Sequence, residues 1–181
     1  DLSWLVPLLL ATGAWLFLKL DARLAKQTGR ILLGIAFILL ALGMIGDATA
    51  PLKEARFMPL IAGYLGQDAS TAMAVGAVLA FLVHSSVAAV LMIAALVQNA
   101  GLSLEAAVPL VLGANVGAGM VALWLTRGMD RKARLLPLGN FLFRTAGAIL
   151  ALLLLARLTP LLEVLSNSPA QQVVAAHVAF N

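Results

Sequence analysis

The chain has 181 residues, 62% hydrophobic and 11% charged, with a formal net charge of +4 at pH 7 and no cysteine. A soluble domain is about 45–50% apolar, so this composition, with a mean hydropathy of +1.03, excludes one and describes an integral membrane protein. The positive balance does not point to nucleic acid, because the basic residues fall in short clusters between apolar spans without interleaved aromatics; disulfides and a thiolate metal site are excluded outright.

In chain order, residues 2–18, "LSWLVPLLLATGAWLFL", approach the ~20 apolar residues that cross a bilayer and run into a basic loop, "KLDARLAKQTGR". Residues 31–46 make a second span, with Gly34, Gly43 and Gly46 suited to close helix contact. "DATAPLKEARFMPLIAGYLGQDAS" reads as interfacial, with a short amphipathic helix. Next come the apolar run "AFLVHSSVAAVLMIAALVQNAG", a span over 102–126, a second basic loop "RGMDRKAR", a span over about 135–156, and a tail.

Lys19, Arg23, Lys26 and Arg30 lie in the first basic loop and Arg127, Arg131, Lys132 and Arg134 in the second, so both loops are expected on the cytoplasmic side. A full crossing by residues 71–99 would put the second loop outside. If that segment instead enters, turns at His84-Ser85-Ser86 and leaves by the same side, both loops stay inside. Its first limb, residues 71–83, reaches only roughly 20 Å against a hydrocarbon core of ~30 Å. The polar triplet is therefore expected at the tip of a re-entrant helical hairpin, buried in protein or lining a wet cavity. Ser85 and Ser86 can cap the second limb, whose first N–H groups attract an anion. "LGANVGAG" suggests a second, broken helix, with Asn115 and the carbonyls around Gly113 and Gly117 open to a cation.

These residues resemble the sodium/phosphate cotransporter family. The resemblance rests on "HSSVAAVLMIAALVQNAGLSLEAAVPLVLGANVGA" and on "AAHVAFN" at His177, Phe180 and Asn181, and covers most of the chain from about residue 31. His84 stands where the family has glutamine, Val87 where it has a third serine, Ala118-Gly119 where it has paired threonines; "LGNFLFR" is a blurred His-x-x-Phe-Asn element. The resemblance implies an all-α polytopic membrane fold with a re-entrant hairpin and a broken helix, one copy of an inverted-repeat unit. Residues 1–30 would be a transmembrane helix and basic loop, 31–157 the transporter repeat, and 158–181 a loop and the start of a following segment. The chain reads as the second half of a longer transporter whose first repeat is a missing partner.

The implied function is sodium-coupled movement of inorganic phosphate or a similar oxyanion across the bacterial inner membrane by alternating access. Ser85, Ser86, His84 and Asn115 would bind the anion, and Gly113, Ala114, Asn115, Gly117 and Ser86 the sodium. No other cofactor and no enzymatic activity is expected; the partners are phosphate, sodium, lipid and a candidate second copy of the protein. Plainer readings stand beside these. The serines could bond the preceding turn's carbonyls, Gly113-x-x-x-Gly117 could be a packing motif, and His84 a hydrogen-bonded structural histidine rather than a proton relay. Arg144, in mid-span, could pair with a phosphate or a carbonyl. Glu105 and Glu163 should be solvated near span ends. Two rival classes remain: a non-transporting scaffold or regulatory subunit, and an intramembrane serine hydrolase using Ser85 or Ser86 with His177.

Overall fold

A computed structural model describes residues 4–181, apart from the side chains of Leu158, Glu163 and Leu165; the start of the first expected span and the setting of Glu163 lie outside the described residues. All regular structure among the described residues is helical. The chain divides into two compact units, Asp1–Ala48 and Thr49–Asn181.

The first unit holds α1 (Leu5–Lys19) and most of α2 (Arg23–Thr49). Only three residues separate the helices, so Arg23, Lys26 and Arg30 ride on the first turns of α2 rather than in a loop. The close contact here falls at Gly13 and Gly29: a Cβ on Gly29 would lie 2.7 Å from the Gly13 carbonyl oxygen. Gly34 and Gly43, expected to serve this purpose, face open space.

In the second unit the interfacial stretch forms a short 3-10 turn, Ala50–Glu54, and α3 (Met58–Gln67). α4 (Ala69–Val83) follows at 115° to α3. Asp68 starts it, accepting from the Ser70 and Thr71 N–H groups at 3.1 Å each, which satisfies donors that the first turn leaves free. The hydroxyls of Ser70 and Thr71, with those N–H groups, hold its exposed carboxyl down at about 2.

α5 (Ser86–Ala100) and α6 (Leu104–Leu125) come next, then α7 (Arg131–Leu153), α8 (Leu155–Leu165) and α9 (Pro169–Phe180). Among the described residues three stretches are long and apolar enough to cross a membrane, α2 with its 3-10 extension, α6 and α7, or four if the bent pair α3 and α4 counts as one. The apolar α4 and α5, at 15 residues each, reach only about 22 Å. α6 is buried along most of its length, as a helix apolar on all sides should be, whereas α7 leaves Leu136, Phe143 and Leu153 largely exposed, a face suited to lipid.

The expected break in the helix at "LGANVGAG" is not there. α6 runs unbroken through Gly113, Ala114, Asn115 and Gly117, and their backbone carbonyls belong to a helix instead of opening onto a cation. The glycines serve packing. A Cβ on Gly113 would collide with the Met73 carbonyl, one on Gly117 with the Ala77 carbonyl, and one on Gly76 with the Leu110 carbonyl. Two helices meet backbone to backbone, which only residues without side chains permit. The contacts run from Met73 on Gly113 to Phe81 on Trp124, so α4 and α6 lie side by side in the same direction. Gly66, at the end of α3, lies beside Ser103, just past the end of α5. Residues 158–181, expected as a loop and the start of a following segment, hold the end of α8, a short connection and α9, which packs on α5 and α6.

Candidate functional site

The apolar run does break where its polar residues stand. α4 ends at Val83; His84 adopts the left-handed conformation (φ 54°, ψ 23°) and Ser85 an extended one before α5 begins at Ser86. His84 is the one non-glycine residue with positive φ among the described residues, a backbone state that costs roughly 1–2 kcal/mol. The turn is held by the N–H of Ser85, which reaches back to the Ala80 carbonyl at 3.2 Å, and by Ser85 Oγ, which accepts from the Ala88 N–H at 3.1 Å. Ser85 is thus the N-cap of α5, its hydroxyl engaged with the helix that follows and only its N–H with the one before. Ser86 is the first helical residue and is partly buried. The exposed imidazole of His84 sits with Nδ1 3.0 Å from the Leu82 carbonyl and stacks near Phe81, the contact expected of a structural histidine.

A second polar constellation lies deeper in the bundle. Asn115 is fully buried in α6, where Nδ2 donates to the Val111 carbonyl at 2.9 Å. Its Oδ1 accepts twice, from Arg144 Nη1 of α7 at 3.2 Å and from Asn181 Nδ2, just past α9, at 2.9 Å. Arg144 Nε donates to Asn140 Oδ1 one turn earlier at 3.3 Å, and the amide of Asn181 lies 3.3 Å from the His177 carbonyl one turn back. A cavity of about 350 Å³ opens against this group, lined by Asn140, Arg144, Phe180 and Asn181 among others.

The structure therefore joins Asn115 to Arg144, Asn181 and His177, but not to the serines. Phe81, three residues before His84, packs on Trp124, about nine residues beyond Asn115 on α6, roughly 13 Å along the axis. Among the described residues no hydrogen bond links Ser85, Ser86 or His84 to Asn115, nor either serine to His177, so a serine–histidine hydrolytic pair is not assembled. Glu105 is exposed, as expected. Sequence reasoning left Arg144 undecided and gave Asn140 and Asn181 no role of their own. The available signals were an arginine inside an apolar helix and the four-residue spacings Asn140–Arg144 and His177–Asn181, which put each pair on one helix face.

A family model described as Na+/Pi-cotransporter matches residues 50–179, which takes in the whole of α3 to α8 and most of α9. A phosphate export protein of Salmonella typhimurium, YjbB, a provisional designation, is 36% identical over 181 residues, all of this chain and 33% of the relative. Its Escherichia coli K12 counterpart, under the same designation, gives the same identity and coverage. An uncharacterized Bacillus subtilis protein, YqeW, is 24% identical over 172 residues, 95% of this chain and 56% of its own length. The chain thus spans about a third of the first two relatives. No solved structure matches it significantly. With the family model covering most of the chain, this protein belongs to the Na+/Pi-cotransporter family, whose description is that of a transporter and not an enzyme.

Proposed function

We propose that the chain is the second half of a secondary transporter that moves inorganic phosphate, or a similar oxyanion, across the bacterial inner membrane by alternating access. The observation that carries this reading is the break at His84-Ser85 inside an apolar segment of a Na+/Pi-cotransporter family member. The relatives named for phosphate export supply the substrate and favour the outward direction. We read α4, the break and α5 as a re-entrant hairpin. The proximity of Gly66 to Ser103 supports it, since the segment leaves and returns to one end of α6, and so does the shortness of each limb against a ~30 Å core. At the tip, Ser86 and the first N–H groups of α5 would hold the oxyanion, with Ser85 ordering the turn and the first repeat covering it.

Sodium, the ion in the family's description, is the first reading of the driving force, with Ser86 at the hairpin tip as a ligand of it. A second reading, in which no sodium is held at Asn115, is favoured by that side chain itself, because Oδ1 already accepts two hydrogen bonds, one of them from a guanidinium. The scaffold alternative is separated by experiment. Labelled phosphate flux through proteoliposomes holding the full-length parent should fall at least about tenfold in the Ser85→Ala/Ser86→Ala double variant, the loss expected when hydrogen bonds to a charged ligand are removed. An unchanged rate would remove the serines from the site, and no flux from well-folded parent would favour a scaffold.

A further inference from the structure

Arg144 is a permanent cation in the middle of an apolar helix, and its immediate partners are neutral. Nη1 and Nε are bonded to the amide oxygens of Asn115 and Asn140, and among the described residues no carboxylate pairs with it: the ion pair there is Lys26 with Asp21, in the other unit. Two side-chain amides fix the guanidinium without cancelling its charge. The Nη2 group and the second Nη1 hydrogen have no protein acceptor among the described residues, and Arg144 lines the cavity of about 350 Å³ together with Asn140 and Asn181. That volume far exceeds the ~30 Å³ share of a water molecule, so a small oxyanion and its hydration can enter. A planar donor edge, held from behind and lacking a counter-ion, is matched to an oxyanion with paired oxygens.

The same contact bears on the coupling ion. Asn115 Oδ1 has two lone pairs, and Arg144 and Asn181 use both, so no position remains at that oxygen for sodium. The charge that sodium would bring is present already, as a side chain that cannot leave.

We propose that Arg144 is the resident cation of this half. It would serve as the fixed counter-charge of an oxyanion subsite, standing at Asn115 in place of sodium, so that phosphate binds here without sodium. The inference rests on the phosphate reading above and adds a residue and an ion dependence to it. The test is equilibrium binding of labelled inorganic phosphate to the purified full-length parent in sodium chloride and in choline chloride, for wild type, Arg144→Gln and Arg144→Lys. Wild type should bind within about twofold in the two salts. Arg144→Gln should weaken binding in both by about tenfold to a hundredfold, the worth of a charge-assisted hydrogen bond. Arg144→Lys, which keeps the charge and loses the fork, should fall between and stay indifferent to sodium; it also serves if the glutamine variant does not elute as a folded species. Wild-type binding that collapses in choline, or glutamine-variant binding equal to wild type, overturns this inference and leaves the phosphate reading intact. A folded parent that binds no phosphate in either salt overturns both.

Discussion

Gly113→Val is expected to prevent the second unit from folding, whereas Gly43→Ala should leave the protein slightly more stable. The difference lies in what each missing side chain would meet. At Gly113 the neighbour is the backbone of α4, the Met73 carbonyl and the Ala77 nitrogen, and neither can swing aside as the end of a flexible side chain could. Inserting a branched side chain must therefore push α4 off α6. Overpacking of this kind costs about 3 kcal/mol or more when the obstacle is main chain, enough to consume much of a membrane domain's stability. Gly43 faces open space in a helix interior, where alanine is worth about 0.5–1 kcal/mol more than glycine. Thermal melting followed by size exclusion in detergent would read both. A Gly113→Val protein that melts with wild type would mean that α4 and α6 do not meet backbone to backbone.

Asn115→Asp should preserve the fold and abolish phosphate binding. The carboxylate would still accept from Arg144 Nη1 and Asn181 Nδ2, now as one half of a direct ion pair. The bond from Nδ2 to the Val111 carbonyl is lost, at a cost of about 1–3 kcal/mol. What changes most is the charge of the cavity wall: the guanidinium acquires an internal partner, and an arriving anion meets a neutral pair. A loss of about a hundredfold in phosphate affinity is expected, from the combined value of counter-charge and donors. Asn115→Leu makes the contrast, since it strands two donors beside a buried apolar side chain and should lower the melting temperature as well. Tight phosphate binding by the aspartate variant would show that the free charge on Arg144 plays no part in holding the anion.

The apolar helices over α2, α6 and α7 and the break at His84-Ser85 were legible in the sequence because each depends on local properties: apolar length in one case, a capping serine in the other. The left-handed backbone of His84 was not legible, since only a few per cent of non-glycine residues adopt it and histidine, though enriched there, is not confined to it. The glycines of "LGANVGAG" were misread for a physical reason. Glycine density looks alike whether it opens a helix or clears room for a neighbour, and the residues that decide, Gly76 and the backbone of Met73 and Ala77, lie far upstream. Much the same holds for the polar cluster. Arg144 stood out as a charge in an apolar segment, but its neighbours Asn115 and Asn181 are 29 residues before it and on a separate helix end, and only the packing of α7 and α9 on α6 brings them together. The helicity of α9 had a readable sign, Ser168 followed by Pro169 at its first position, a common way to begin a helix.

The glycine seam between α4 and α6 also has a mechanical consequence. Interlocking side chains can change rotamer and let two helices roll, but backbones in mutual contact have no such slack. The two helices should therefore travel as a single stiff plate, and bending should be confined to places where the helical ladder is interrupted, among them Asp68, the His84-Ser85 break, the Gly101–Ser103 connection, residues 126–130 and Leu154. Because these 181 residues include no cysteine, paired spin labels can be introduced here at chosen positions. Labels at Val78 and Met120 should keep one separation with and without phosphate, while a pair bridging α7 and α8 across Leu154 should not; a Val78–Met120 distance that shifts with phosphate would show that the plate comes apart.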